Sequence, residues 1–424
     1  MDVVSVISRW LGGETLESWF QRLRGEVLIV FLSRLANAGV GVGFVVITGR
    51  HLGPAGRGEI ALAFSIAWAA THIANVGTST SGRIRLLRPA DPVRPRDVIS
   101  LTIALLPLQA LLVVASIGVI SLTSFYMTWE FALAIFALSL ATMLLNSAVA
   151  VLYGLRRDSK VLTAEVIIGV SQAVVVVGLL RSGQLNSTSA VLTMALGMVL
   201  GASWLIGPVV QVRQKAGLGL TTHWRSLIAE GFYPMLGQVS IFFALRSDRI
   251  ILAAVAGADS LGLYVVALAI PETLRIIPKA FGQVIADRGR SGVDSIKAVR
   301  RYARLFVVAQ VLILGVSAVV GSTLLLTVFG EGFREALGVL AIVTIAEMVL
   351  SIYFMYQSLL VGFSRPRGIG PPQVLGGVVA VLLNLVMIPV WGMRGAAYAC
   401  LLGHAALAII SGIWTNRELR RLDT

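Results

Sequence analysis

The stretch FYPMLGQVSIFFALRSDRIILAAVAG, residues 232–257, is long enough to cross a bilayer, yet it holds Arg246, Asp248 and Arg249 inside its apolar run. After the turn Ala258-Asp259-Ser260 comes a second apolar run, LGLYVVALAIPETLRIIPK (261–279), which carries Glu272, Arg275 and Lys279. A charged residue at the centre of a membrane helix costs about 2.5–3.5 kcal/mol on insertion scales, so such residues are kept where they face a partner or a watery path. The two runs define a helical hairpin in the membrane, and their charges mark the first place to look for function.

Outward from this hairpin the same pattern recurs. The 424-residue chain is 57% hydrophobic and 13% charged, with a mean hydropathy of +0.86. Apolar runs of about 20 residues follow one another from end to end, which excludes a soluble multidomain enzyme. Spans are expected at 27–48, 59–80, 98–122, 130–153, 161–180 and 190–212, then in the opening hairpin, then ending near 328, 362, 390 and 414. The fold class is therefore an all-α membrane protein of about twelve transmembrane helices. Residues 1–25 lack the basic start, apolar run and cleavage site of a signal peptide. There Leu16, Trp19, Phe20 and Leu23 share one helical face, as in a helix lying in the interface.

The net charge of +14 points to topology rather than to nucleic acid, because the basic residues sit in short loops between spans. With the N-terminus in the cytoplasm, inside segments hold 25 of the 35 Lys and Arg residues and outside turns only five, namely Arg50, Arg57, Arg181, Arg334 and Arg394. The other five, Arg34, Arg246, Arg249, Arg275 and Lys279, lie within spans. This bias places both termini in the cytoplasm. The single cysteine, Cys400, rules out an intrachain disulfide, and the four histidines have no metal-ligand spacing. No Gly-x4-Gly-Lys-Ser/Thr loop is present, so no metal, nucleotide or other cofactor is expected. Gly39, Gly41 and Gly43, and likewise Gly197 and Gly201, are expected to let helices pack closely.

Displaced by 204 residues, the chain superposes Gly53, Gly58, Ala63 and Ile66 on Gly257, Gly262, Ala267 and Ile270, and Phe125, Ala132, Leu133 and Ala137 on Phe329, Ala336, Leu337 and Ala341. A slightly larger offset pairs Leu152, Gly154 and Arg157 with Leu360, Gly362 and Arg365. The glycines fall in corresponding turns, so the chain reads as two six-helix lobes related by a pseudo-twofold axis, an arrangement that allows alternating access between them. The expected segments are an interfacial stretch (1–25), an N-lobe (26–212), a linker (213–231), a C-lobe (232–414) and a cytoplasmic tail (415–424).

Several of these residues also resemble a known family. Asp248 followed by Gly257, Gly262 and Tyr264, and the Phe329-Gly330 turn followed by Phe333 to Ala336, look like oligosaccharide flippases of the multidrug/oligosaccharidyl-lipid/polysaccharide (MOP) superfamily. Asn384, Ile388-Pro389, Gly392 and Gly395-Ala396-Ala397 resemble that family's Asn-x3-Ile-Pro-x2-Gly-x2-Gly-Ala-Ala pattern. The resemblance implies a V-shaped pair of lobes that carries polyprenyl-pyrophosphate-linked oligosaccharides across the bacterial cytoplasmic membrane, without covalent catalysis.

A pyrophosphate crossing the membrane calls for fixed cations. Arg34, Arg246, Arg249, Arg275 and Lys279 are the expected cavity cations; the last four form a ladder of roughly 15–20 Å at 1.5 Å per residue, and Arg34 is expected to receive the headgroup from the opposite lobe. Asp248, Glu272 and Glu347 are the expected charge partners or sites for a coupling H⁺ or Na⁺. Expected partners are thus a lipid-linked oligosaccharide, membrane lipids, a coupling cation and other polysaccharide-assembly proteins, with no nucleic acid. A cation-coupled drug antiporter of the same superfamily is the main rival, although cationic drugs call for acids in the cavity. A membrane-embedded glycan polymerase is a weaker one, since no loop is long enough for a catalytic site.

Overall fold

The computed structural model describes residues 26–210, 223–286, 296–363 and 369–420, except positions 89, 124, 276, 280, 283 and 284; side chains of 26–38, 208–210 and 296–305 lie outside the description. Every regular element among the described residues is helical. In order these are α1 (Glu26–Ala74), α2 (Thr78–Leu86), α3 (Pro95–Ser121), α4 (Trp129–Gly154), α5 (Asp158–Arg181), α6 (Ser187–Val210), α7 (Trp224–Thr273), α8 (Ile296–Phe329), a 3-10 turn (Glu331–Ala336), α9 (Leu337–Gly362) and α10 (Gly370–Arg420).

Three of these helices are too long for one crossing. At 49, 50 and 51 residues, α1, α7 and α10 would each extend about 75 Å at 1.5 Å per residue, well beyond a bilayer. Each is broken by a glycine in a conformation closed to other residues: Gly53 (φ 69°, ψ −170°), Gly257 (φ 79°, ψ −177°) and Gly392 (φ 54°, ψ −130°). The chain doubles back there. Asp248 meets Tyr264 within α7, and in α10 Gly376 packs on Leu407, Gly403 on Ala380 and Gly395 on Met387. Among the described residues, eight helices are long and apolar enough to span a membrane, or nine if α1 and α2, bent by 60°, are taken together. With three of the nine broken into hairpins, they supply the expected twelve crossings.

The repeat is visible in the backbone. Gly53 and Gly257 share one conformation, and α4 and α9 are both 26 residues long and end at buried glycines, Gly154 and Gly362. The lobes meet in a reciprocal contact: the α-carbon of Gly58 lies on the carbonyl of Ala258, and that of Gly262 on the carbonyl of Pro54. A methyl group at either glycine would occupy the space of a backbone oxygen.

From this contact the second limb of α1 runs antiparallel to the first limb of α7. His72 packs against Phe242 with ring centroids 4.9 Å apart, Gly77 lies on Gly231, and Gln238 Nε2 donates to Thr80 Oγ1 at 2.7 Å. Beyond it, Ser81 Oγ donates to the Leu227 carbonyl at 2.8 Å, Arg85 Nη1 to Ser226 Oγ at 2.5 Å, and Trp224 Nε1 to Ser100 Oγ at 3.2 Å. Helix α7 thus begins at Trp224, so the expected linker is helical over 224–231, and α10 carries helix into the expected tail as far as Arg420. Residues 1–25, 213–222 and 421–424 lie outside the described residues.

A core drawn from both lobes lies along the interface, with Ile60, Leu62 and Ile66 of α1, Leu138 of α4, Leu261 and Tyr264 of α7, and Val339 of α9. The outer faces of α3 and α8 expose leucine and valine, as helices facing lipid do. Gly201 packs on Ile168 and Gly197 on Gln172, as their spacing predicts. Gly39, Gly41 and Gly43 differ: among the described residues nothing lies within 4 Å of where their β-carbons would be, so no described helix packs closely on these glycines. Small residues permit close approach but do not compel it.

Candidate functional site

The charged residues of α7 are brought together by its hairpin. Arg246 and Arg249, three apart on the first limb, share a helical face. The break at Gly257 turns that face onto the second limb, where Glu272 stands. Arg249 Nη2 donates to Glu272 Oε1, Arg246 Nη1 lies 3.5 Å from Glu272 Oε2, and Arg275 Nη2 lies 3.3 Å from Glu272 Oε1. Three cations therefore converge on one carboxylate, which corrects the expected ladder. The rise per residue separates the α-carbons, but the long arginine side chains close the gaps.

Arg275 has a second partner. Its Nε donates to Glu347 Oε2 at 2.5 Å and its Nη2 to Glu347 Oε1, the bidentate geometry that suits guanidinium and carboxylate best. Glu347, on α9, is 1% exposed in its side chain. Asp248 is buried and accepts from Tyr264 Oη at 2.6 Å and from the Arg249 backbone N–H at 2.8 Å. Lys279 lies past the end of α7 with Nζ 5.6 Å from the centre of the Phe354 ring. His404 Nδ1 is 3.0 Å from the Ala346 carbonyl, and His72 sits between Trp68 and Phe242, so both histidines serve packing.

The other lobe adds a cation that the sequence placed in an outer turn. Arg57 immediately precedes Gly58 of the interlobe contact, and its guanidinium acts electrostatically on Arg249 and Glu272. Its Nε is buried without a hydrogen-bond partner among the described residues, as is that of Arg249. Arg57, Arg246, Arg249, Arg275 and Lys279 together face Asp248, Glu272 and Glu347, leaving two positive charges in excess. Arg246 and Glu272 are partly exposed, with side chains 23% and 17% accessible.

Of the expected site residues, Arg246, Arg249, Arg275, Glu272 and Glu347 form one continuous ion network. Asp248 stands beside it through Arg249, and Lys279 within its electrostatic reach. The side chain of Arg34 lies outside the described residues. No three His, Cys, Asp or Glu side chains gather as metal ligands among the described residues. The arrangement concentrates positive charge at one place, which is the electrostatic requirement for attracting an anion. The C-terminal pattern supports the hairpin from behind: Asn384 Nδ2 donates to Ser247 Oγ at 2.9 Å, Gly392 makes the break, and Gly395 fits against the Met387 carbonyl.

This architecture has counterparts of known structure. An inward-facing multidrug resistance MATE family transporter of the MOP superfamily superposes with a TM-score of 0.69 at 12% identity, covering 91% of this chain and 95% of that one. The lipid II flippase MurJ in an inward closed conformation gives 0.71 at 12% identity, covering 93% and 88%. An outward-facing MATE family transporter of the same superfamily gives 0.62 at 15% identity, covering 95% and 98%. At such identities the likeness is one of fold, and the fold is that of the two-lobed MOP transporters. Residues 23–284, more than half of the chain, match the family described as polysaccharide biosynthesis protein, and the chain belongs to that family. No curated protein sequence matches it.

Proposed function

We propose that the protein flips a polyprenyl-diphosphate-linked oligosaccharide from the cytoplasmic to the outer leaflet of a bacterial cytoplasmic membrane, with both termini in the cytoplasm. The observation that carries this function is the ion network of the C-lobe hairpin, beside the contact between the lobes, in which cations outnumber carboxylates at membrane depth. A fixed excess of positive charge offsets the cost of taking a diphosphate out of water, while the prenyl chain stays in lipid. Membership in a polysaccharide biosynthesis family supports the substrate class. The drug-antiporter alternative needs an available carboxylate. Glu347, the deepest one, is engaged by two hydrogen bonds from Arg275.

The test is genetic. Arg246→Gln and Arg249→Gln, each expressed in place of the wild type, are expected to abolish surface polysaccharide while membrane abundance stays near normal. Normal polysaccharide in both variants overturns the proposal.

A further inference from the structure

The ion network is poorly balanced as a structural device. A structural pair needs one cation for each carboxylate, and Arg275 already has its own in Glu347. Arg249 and Arg246 nevertheless crowd onto Glu272 with it. The Arg249 side chain is only 8% exposed, and its Nε–H finds no acceptor although the far end of the same guanidinium bonds Glu272. Arg57, beside the lobe contact at Gly58, also has a buried Nε–H with no acceptor among the described residues. An unmet buried donor costs about 1–3 kcal/mol, more on a charged group. Open buried donors on Arg249 and Arg57, beside three guanidinium groups gathered on one carboxylate, fit a ligand richer in oxygen and charge than a carboxylate.

We infer that Glu272 is the resident anion of an interlobe site made by Arg57, Arg246, Arg249 and Arg275, and that a diphosphate displaces it from these cations. The inference deepens the flippase function proposed above and rests on it. In the empty protein Glu272 keeps the arginines together and prevents their mutual repulsion. An arriving diphosphate offers the same cations more acceptors and also satisfies the Nε–H groups of Arg249 and Arg57. Glu272 then competes with the ligand for its own site, which weakens binding and favours release. Because Arg57 belongs to one lobe and the other three arginines to the other, affinity for the anion depends on how the lobes sit.

Binding of inorganic pyrophosphate and of farnesyl diphosphate to the full-length protein in detergent, measured by calorimetry, tests this. Glu272→Gln is expected to bind both probes about tenfold more tightly than wild type, and Arg57→Gln about tenfold more weakly, each a change of about 1.4 kcal/mol. Glu272→Asp keeps the charge and the fold but is too short to reach all three arginines, and is expected to tighten binding several-fold. If neither Glu272 variant binds pyrophosphate more tightly, Glu272 is not the resident anion. Binding by Arg57→Gln equal to wild type removes Arg57 from the site. Farnesyl diphosphate binding without pyrophosphate binding, unaffected by these variants, shows recognition of the lipid tail and overturns the inference. Lost polysaccharide in the arginine variants alongside unchanged pyrophosphate binding in both Glu272 variants overturns this inference alone. The reverse pair of results overturns the flippase function and keeps the anion site.

Discussion

The first hairpins of the two lobes, α1 and α7, share a backbone and differ in what they bury. Each breaks at a glycine of the same conformation, Gly53 or Gly257, and each packs against the 26-residue helix of its own lobe, α4 or α9. In the N-lobe the buried polar link is neutral: Gln109 Nε2 donates to Thr71 Oγ1 at 2.9 Å and to Ser139 Oγ at 2.5 Å. In the C-lobe, Arg275 stands 204 residues after Thr71, and Glu347 occupies the same eleventh position of α9 that Ser139 occupies in α4. The second limb of α1 is therefore tied to α4 through a hydroxyl–amide link, while the end of the α7 hairpin is tied to α9 through an ion pair. Backbone packing carries the fold in both lobes, which leaves the polar interior free to differ.

The largest expected effect follows from that contrast. Glu347→Leu strands the Arg275 charge in an apolar interior and should cost about 3–5 kcal/mol, whereas Ser139→Ala should cost about 1 kcal/mol. Combining Glu347→Leu with Arg275→Met should recover most of the loss, since no charge is then left unpaired. Unfolding of the purified variants in one detergent measures all three. Equal losses for Glu347→Leu and Ser139→Ala would break the distinction between the lobes.

A smaller effect tests what the lobes have in common. Gly58→Ala and Gly262→Ala each drive a methyl group into a carbonyl of the facing lobe, Ala258 or Pro54, and should each cost about 1–3 kcal/mol. The reciprocal geometry predicts losses of matching size, measured by the same unfolding assay. A loss confined to one variant would show that the contact is not shared equally.

The smallest effect concerns the clip that fastens α2 to the start of α7. Arg85 Nε donates to both oxygens of Asp91, at 3.1 and 3.0 Å, and this bond holds the Asp91 carboxyl below its ordinary 3.8. A depressed carboxylate contributes stability above its unfolded value and loses it as pH falls through the folded value. Wild type should therefore be more stable than Asp91→Asn at neutral pH, with the advantage fading below about pH 3.8. Thermal unfolding across that range reads the difference. An advantage independent of pH would assign Asp91 a role other than its charge.

The spans, the breaks at Gly53 and Gly257 and the charged hairpin were all legible in the sequence, because each rests on a local pattern of apolar length, glycine or buried charge. The convergence on Glu272 was not, because it depends on how far arginine side chains bend from their helices. Arg57 was hidden for a different reason. Its neighbours in sequence are those of a loop, and only the docking of the lobes carries it to Arg249 and Glu272. One signal pointed there: Arg57 adjoins Gly58, whose repeat partner Gly262 lies in the charged hairpin. The pattern Asn384, Gly392 and Gly395 was readable as a motif, but its purpose, bracing Ser247 beside Asp248, required the hairpin of α10.

The reciprocal contact of Gly58 with Ala258 and of Gly262 with Pro54 is self-complementary, like the interface of a symmetric dimer. In a dimer of identical six-helix units every side chain near the axis occurs twice, and an arginine cluster there would confront its own copy. Covalent fusion of the two units removes that obligation. It lets one lobe carry Arg246, Arg249 and Arg275 while valine and threonine stand at the matching positions of the other, so that the charge beside the axis is asymmetric although the contact on the axis is not.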